Sequence, residues 1–250
     1  MKTFLTSVLA LLLFTASNAQ VFFIEAHASA RNPWILQQHH YGMSELSYET
    51  TYGLGYGMSM GYDWNKHWGF RLGFDWAEMG QNYSDGIGLP DVFGNSDVRF
   101  VEREVEFVYL YIPALMRFRQ GAGPLQFVLE FGPQFGFQQD AQMRYTVDDV
   151  FVSIQEIPGE IFGQPLAASD YFKQMEVGGL VGAGLEWRLN RTFYFHGSGQ
   201  VYVAATDLNS DLTRTVGEYT SSRNAAISLQ AGFGVRLGYS ASREWQRLAF

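Results

Sequence analysis

Residues Tyr52–Trp64 read Tyr-Gly-Leu-Gly-Tyr-Gly-Met-Ser-Met-Gly-Tyr-Asp-Trp, in strict alternation between large apolar residues and small or polar ones. Successive side chains of a β-strand point to opposite faces, so a period of two predicts a strand with one wholly apolar face. The outward face of a soluble sheet is usually charged. Glycine on the small face instead indicates that this face looks into a crowded interior.

The same alternation resumes after the turn Asn65-Lys66-His67. Large apolar residues occupy the even positions of Trp68–Trp76, and glycine, arginine and aspartate occupy the odd ones. Trp64 and Trp68 flank the turn. Since indole rings are enriched at membrane–water interfaces, the base of this hairpin is predicted to lie at such an interface.

Six further segments alternate in the same way, though less cleanly. They are about Phe22–Ala30, Glu106–Arg119, Leu125–Phe137, Met175–Trp187, Thr192–Val203 and Ala226–Tyr239. Most reach the ~10 residues that a tilted strand needs to cross a bilayer. Strands of soluble proteins are typically shorter, at about 5–6 residues.

The connections between these segments alternate between long and short. The long ones are about Arg31–Thr51, Ser84–Arg103, Asp140–Phe172 and Asp207–Arg223, and the short ones are Asn65–His67, Gln120–Pro124 and Asn190–Arg191. Bacterial outer-membrane barrels have short periplasmic turns and long extracellular loops. The sequence therefore predicts an all-β protein, a closed antiparallel up-and-down transmembrane β-barrel of about eight strands.

The composition of the 250-residue chain fits this class and excludes others. Its hydrophobic fraction of 47% is moderate, because only the outward face of a membrane barrel has to be apolar. The absence of cysteine excludes a disulfide framework and a cysteine-ligated metal. A net charge of -8 without any basic run argues against nucleic acid as a partner.

The N-terminus has the three parts of a secretory signal peptide. Met1-Lys2 is positively charged, Val8–Phe14 is apolar, and Ser17-Asn18-Ala19 offers small residues to signal peptidase. We predict a cleaved signal peptide at residues 1–19 and a single outer-membrane barrel domain at residues 20–250. The alternative is an N-terminal membrane anchor, for which the apolar stretch is short.

The alternation also predicts which charged residues face the barrel lumen. They include Arg71, Asp75, Arg117, Glu130, Glu176, Glu186, Arg188 and Arg236. Because isolated charges in a narrow interior are costly, these side chains are expected to pair. An interior of eight strands is just wide enough for side chains to fill, which favours a polar plug over a selectivity filter or a proton path.

Several local phrases resemble the PorT-type outer-membrane β-barrel family. The most specific is Val108–Phe118, which is similar to a strand of that family with an aromatic-x-x-Ile-Pro-Leu core, and the resemblance makes Pro113 an expected feature. Phe127–Gly136 and Gly178–Trp187 resemble two later strands. The resemblance implies a small outer-membrane barrel of mostly undefined role, without catalytic residues.

The end of the chain resembles the signal read by the barrel-assembly machinery, because its last residue is the aromatic Phe250. That machinery is therefore an expected partner during insertion. Residues 240–249 alternate poorly, which leaves open whether the last strand continues beyond Tyr239 or is followed by a short tail.

Two tripeptides are candidate catalytic pairs, His27-Ala28-Ser29 and His196-Gly197-Ser198. Each resembles the His-x-Ser pair of lipid A deacylases, in which a base lies beside a hydroxyl nucleophile. The strand phase places both pairs inward, whereas a lipid-cleaving pair must reach lipid. No catalytic residue is therefore predicted.

Metal ligation has weak candidates only. His39-His40 lies in the first long connection, and the third carries the acidic residues Asp148, Asp149, Glu156, Glu160 and Asp170. Calcium, or a divalent ion bridging to lipopolysaccharide, is the functional alternative to solvated loop residues. Without ligand-spaced motifs, no metal and no cofactor are predicted.

The predicted function is structural or interactional, through extracellular loops displayed on a rigid barrel. Expected partners are outer-membrane lipid, lipopolysaccharide, and a surface protein or glycan. An accessory factor for protein secretion or envelope assembly is the second hypothesis, and a lipid A-modifying enzyme is the third.

Overall fold

The computed structural model describes residues 21–36, 47–90, 96–121, 123–147, 150–154, 156–157, 166–167, 172–210 and 221–237. Its twelve strands are β1 Val21–Leu36, β2 Ser47–Glu49, β3 Gly53–Asp63, β4 Trp68–Pro90, β5 Ser96–Gln120, β6 Leu125–Val147, β7 Val150–Ile154, β8 Glu156–Ile157, β9 Leu166–Ala167, β10 Met175–Arg188, β11 Phe193–Ala204 and β12 Arg223–Leu237. Within these ranges, no helix has the length and apolar character needed to cross a membrane.

Eight strands form a closed antiparallel ring in the order β10-β11-β12-β1-β3-β4-β5-β6. The ladder between β10 and β6, from Met175↔Phe137 to Trp187↔Leu125, closes it. Among these eight strands every neighbouring pair is consecutive in sequence, apart from β1 with β12, which joins the first strand to the last. The predicted up-and-down barrel of about eight strands is therefore confirmed.

One end of the ring, here called the turn end, carries the three short connections. Asn65 shapes the first, because its side-chain oxygen accepts hydrogen bonds from the backbone N–H groups of His67 and Trp68, both at 2.8 Å. Asn190 makes the same two bonds, also at 2.8 Å, to the second and third residues beyond it. An asparagine that bonds the backbone ahead of it mimics a turn and so fixes a tight reversal.

At the opposite end, the loop end, the predicted boundaries of three long connections were wrong. Strand β1 continues to Leu36, and β4 and β5 stay paired up to Pro90↔Ser96. Strand β6 continues to Val147 and pairs there with β7. The apolar alternation fades in these stretches while the backbone ladder goes on, so a pattern of side chains could not mark where the strands end.

Short segments beside the third and fourth long connections fold over the loop end. Phe172 forms an isolated bridge with Asn209, and Lys173 donates a backbone hydrogen bond to Leu208 at 2.8 Å. Leu208 in turn donates to Ser222 at 2.7 Å. Phe172, Leu208 and Ser222 are all buried.

The two faces of the ring differ as the alternation predicted. Outward residues of Tyr52–Trp64 such as Tyr56 and Met58 are 64% and 59% exposed, which suits contact with lipid. Inward glycines make room for rings: a Cβ at Gly61 would overlap Phe23, and one at Gly234 would overlap Tyr194. The small residues of the inward face are therefore a packing requirement.

Pro113 lies inside β5 with its ring buried in the interior. The ladder between β4 and β5 has partners at Leu72↔Ala114 and Asp75↔Tyr111, in one register, and is interrupted between them. Gly73 accommodates the proline, because a Cβ there would lie 2.7 Å from Pro113 Cγ. A residue without a backbone donor is tolerated here because the ladder is interrupted at this point and resumes on both sides of Pro113.

Replacing Gly80 by alanine is expected to lower the free energy of unfolding by about 1–3 kcal/mol. Gly80 has φ +148°, and an added Cβ would overlap the carbonyl oxygen of Val105 in the next strand. Urea titration of the folded protein in lipid vesicles measures the change. Gly179→Ala is the matched control, because nothing lies within 4 Å of its Cβ position. Equal effects of the two substitutions would contradict this account of Gly80.

Candidate functional site

A chain of ion pairs fills the part of the interior nearest the turn end. Glu186 of β10 is completely buried, and its carboxylate lies 2.9 Å from Arg117 Nη2 and 3.2 Å from Arg188 Nε. Arg236 of β12 makes a further close ion pair with it. Three strands thus direct guanidinium groups at one carboxylate, which offsets the large cost of removing that charge from water.

The chain continues across the interior through Glu130. Arg117 Nε lies 3.4 Å from one oxygen of Glu130, and Arg71 Nη1 lies 3.4 Å from the other. Arg71 also reaches Glu25 of β1 at 3.5 Å. Predicted lumen charges from five strands therefore lie close together and form ion pairs, as expected for these residues.

Two histidines lie at the end of this series of ion pairs. They belong to β1 and β11, the two strands that flank β12. His196 Nδ1 lies 3.3 Å from Glu25 Oε1, and the Tyr194 hydroxyl donates to the other oxygen of Glu25 at 3.1 Å. His27 Nε2 is hydrogen-bonded to Asp75 at 2.9 Å, while its Nδ1 lies 3.8 Å from Glu25. Asp75, predicted to face inward, is thereby paired with a histidine instead of an arginine.

Neither candidate His-x-Ser pair has the contacts of a nucleophile with its base. All four side chains are buried in the interior, as the strand phase predicted. The Ser29 hydroxyl accepts a hydrogen bond from Arg31 at 3.1 Å, and the Ser198 hydroxyl donates to Gln230 at 3.5 Å. The histidines are bonded to carboxylates instead, and these bonds fix the orientation of both imidazole rings.

Glu176 differs from the other lumen carboxylates, and the expectation that it pairs with a cation was wrong. Its described partners are neutral: the hydroxyls of Tyr111 and Tyr202 donate to Oε1 at 2.7 and 2.8 Å. Asn224 donates to Oε2 at 2.6 Å. Hydrogen bonds to an ionised group are stronger than those between neutral groups, so three such donors can hold a buried carboxylate without an ion pair.

An apolar cluster with six aromatic side chains, here called the aromatic cluster, extends from the level of Leu115 past Glu176 towards the loop end. Phe107 meets Phe172 edge-on with ring centroids 4.6 Å apart, and Tyr111 meets Tyr202 edge-on at 5.4 Å. The cluster comprises Ile35, Ala77, Met79, Tyr83, Val105, Phe107, Tyr109, Tyr111, Leu115, Ala141, Phe172, Leu180, Tyr202, Ala204, Leu208 and Ala226. Sequence reasoning missed it, although β5 signals it by carrying apolar residues at inward as well as outward positions.

Among the lumen residues that the structure describes, positive and negative charges are equal in number. Six arginines face the interior, namely Arg31, Arg71, Arg117, Arg119, Arg188 and Arg236. Six carboxylates face them, namely Glu25, Asp63, Asp75, Glu130, Glu176 and Glu186. With neutral histidines the formal sum is zero. Ion-selective pores carry rings of side chains with one sign of charge, and the described lumen residues do not form such a ring.

The predicted lumen charges did not include Arg31, Glu25 and Arg119, whereas the alternation of Tyr52–Trp64 already places Asp63 on the inward face. Glu25 lies two residues before His27 and so shares its face, and Arg119 likewise follows Arg117. Asp63 and Arg119 form an ion pair of 2.8 Å near the turn end. The period of two could have found Glu25 and Arg119, whereas Arg31 lies beyond the predicted end of its strand, where boundaries are hardest to predict.

Some sequence predictions concern residues outside the described ranges. They are the signal peptide, His39-His40, Asp148, Asp149, Glu160, Asp170 and the chain beyond Leu237; for Glu156 the structure gives the backbone of β8 alone. Where residues are described, no group of three or more His, Asp or Glu side chains is arranged to hold a metal ion.

A closed ring of eight long strands, with lipid-compatible side chains outside and paired charges inside, defines the class of bacterial outer-membrane β-barrels. The sequence agrees, because residues 6–217 match the model of the outer membrane protein beta-barrel domain. The chain belongs to this family, and its location is the bacterial outer membrane. The finer PorT-type resemblance is not part of that match.

Solved outer-membrane barrels are similar in outline. A major outer membrane protein from Thermus thermophilus is 14% identical, with 88% of this chain and 100% of that chain covered and a TM-score of 0.43. Neisserial surface protein A is 11% identical, with 86% and 96% covered and a TM-score of 0.42. OprG of Pseudomonas aeruginosa is 12% identical, with 90% of this chain and 99% of that chain covered and a TM-score of 0.39. No curated protein matches the sequence. At these identities no property of those proteins is transferred to this chain.

Breaking the Asp63–Arg119 pair is expected to cost roughly 3–5 kcal/mol of unfolding free energy, because either single substitution leaves a buried charge without its partner. We predict this for Asp63→Asn and for Arg119→Met, measured by urea titration in lipid vesicles. The double variant should be more stable than the sum of the two single effects implies. Additive effects would show that the two side chains are not coupled.

Proposed function

We propose that the protein is a small integral outer-membrane barrel whose lumen is closed by its own side chains, and that it serves a structural or surface-interaction role through its extracellular segments. The burial of the inward side chains is the observation that carries this proposal. Arg117, Tyr109, Tyr111, Gln134 and Glu186 have no exposed surface at all. In a lumen that conducted water, such side chains would be exposed to solvent.

Two different layers support the closure. The ion-pair chain around Glu186 and Arg117 spans the lumen near the periplasmic turns, and the aromatic cluster spans it nearer the extracellular side. Water and ions that passed the first layer would meet apolar rings in the second, where there is nothing to replace an ion's hydration shell.

The unequal lengths of the barrel strands support the surface role. Strands β4, β5 and β6 are 23, 25 and 23 residues long, against 11 for β3 and 12 for β11. The longer strands continue as a paired sheet with β2 and β7 on the extracellular side. A rigid sheet that projects from a barrel is a stable support for binding segments. Outer-membrane lipid, lipopolysaccharide and a surface protein or glycan remain the proposed partners.

Assistance to secretion or envelope assembly is the second candidate, and the PorT-type resemblance of Val108–Phe118 supports it. In the structure this segment is the membrane-crossing part of β5, with Tyr109, Tyr111 and Pro113 directed inward. A lipid A-modifying enzyme ranks third, since both His-x-Ser pairs face the lumen and their histidines are bonded to carboxylates.

Closure predicts that the protein inserted in a planar lipid bilayer shows no unit conductance above the bare membrane. A variant that opens both layers combines Phe107→Ala, Tyr111→Ala and Tyr202→Ala in the aromatic cluster with Arg117→Ala and Glu186→Ala in the ion-pair chain, and it should produce small conductance steps. The matched control replaces three outward rings, Phe74→Ala, Phe127→Ala and Phe131→Ala, and should stay silent. Regular channels formed by the unmodified protein would refute a closed lumen.

A deletion strain separates the proposed role from the two other candidates. We expect the exported proteins of the culture supernatant and the mass of lipid A to stay as in the parent strain. Loss of exported proteins would instead establish the secretion role. A change in lipid A mass that His27→Ala or His196→Ala reproduces would establish the enzyme.

A further inference from the structure

We propose that a notch in the extracellular rim of the barrel wall, between β1 and β2, binds a sugar residue of an outer-leaflet glycolipid. The notch is open and has a volume of about 440 Å³; its lining includes the polar residues Asn32, Glu49, Thr50, Thr51 and Gln81 and, along β1, Pro33, Trp34, Ile35 and Leu36. Its size falls within the range of small-molecule sites. The inference deepens the proposed surface role by naming a ligand class and a place for it.

The notch exists because two neighbouring ladders end at different heights. Strand β1 is paired with β3 only up to Arg31↔Gly53, although β1 itself continues to Leu36 alongside β12. On the other side, β4 is paired with β2 at Glu49↔Asn82. Beyond Arg31, β1 therefore has no ladder partner on its β3 side among the described residues, and the chain between β2 and β3 meets it there through the hydrogen bond from Asn32 to Thr51.

Hydrogen bonds hold the floor of the notch in place. Gln81 accepts from the backbone N–H of Ile35 at 3.3 Å and donates to the Glu49 carbonyl at 3.0 Å, so one side chain bridges β1 and β2 across the gap. Asn32 donates to the Thr51 carbonyl at 3.0 Å, and the Thr51 hydroxyl accepts from the N–H of Asn82 at 3.0 Å. A site built in this way is preorganised, which lowers the entropy lost on binding.

The side chains around this floor suit a sugar. Trp34 lines the notch and is half-buried, so its indole is the aromatic surface available there, while Glu49 and Thr50 are exposed and line the notch as well. A pyranose ring has an apolar face of C–H groups and an edge of hydroxyls. The aromatic surface covers the first, and the carboxylate accepts strong charge-assisted hydrogen bonds from the second.

Charge decides between a sugar and the other polar groups of a lipid surface. Among the described residues that line the notch, Glu49 is the one with a charged side chain, and it repels phosphate. A single carboxylate also supplies little of the negative charge with which calcium sites hold their ion. The notch opens at the extracellular rim, the level at which outer-leaflet sugars lie. A neutral sugar is the ligand that agrees with both the charge and the place.

Calorimetric titration of the folded protein in detergent tests the proposal with three probes: lipopolysaccharide that retains its core sugars, lipid A stripped of them, and the free core oligosaccharide. We expect the sugar-bearing lipid to bind more tightly than stripped lipid A, and the oligosaccharide to compete with it. Trp34→Ala and Glu49→Gln should each weaken binding by about tenfold or more.

Trp187→Ala is the matched control, because Trp187 is an outward tryptophan, 55% exposed, near the periplasmic turns. Its affinity should equal that of the unmodified protein, and heat-modifiable migration in gels verifies that every variant is folded. Equal binding of stripped lipid A, lack of competition by the oligosaccharide, or equal effects of Trp34→Ala and Trp187→Ala would overturn the proposal. None of these outcomes bears on lumen closure, which the conductance experiment tests separately.

Discussion

Closure of the strand ring through the ladder between β6 and β10 is the constraint on which the rest of the structure depends. In a bilayer, an unpaired backbone N–H or C=O costs several kcal/mol, so strands can cross only when every one has a neighbour on both sides. Eight strands satisfy this with the shortest chain but enclose little space. The inward side chains must then fit that space, which explains why glycine lies opposite Phe23 and Tyr194.

A narrow interior also dictates how its charges are arranged. A buried ion pair is often no more stabilising than apolar packing, whereas a buried charge without a partner is strongly destabilising. Most of the described lumen charges therefore have at least one partner of opposite sign, and several partners are shared: Glu186 is shared among Arg117, Arg188 and Arg236, and Arg71 bridges Glu130 and Glu25. Nearer the extracellular side, rings replace ion pairs, and Glu176 is held by neutral donors.

The period of two in segments such as Tyr52–Trp64 predicted the barrel, its approximate strand number and the inward face of the eight lumen charges that it named, because lipid and lumen impose opposite demands on neighbouring residues. It could not predict the extracellular extensions of β4 to β6, where that contrast ends although the ladder continues. Nor could it predict that Glu176 meets two tyrosines, since partners across the lumen depend on the ring's register. The notch at Trp34 arises from ladders of unequal height, which no local pattern records.

Thiol scanning along Tyr52–Trp64 tests the central claim most directly, because the chain has no cysteine of its own and every introduced thiol is unique. In the membrane-inserted protein, cysteine at Tyr56, Met58 or Met60 should react with a lipid-soluble maleimide and resist a charged one. Cysteine at Ser59, which is 3% exposed, should resist both. Reactivity of the Ser59 position with the charged reagent, or equal reactivity at even and odd positions, would contradict a packed barrel with lipid on its outer face.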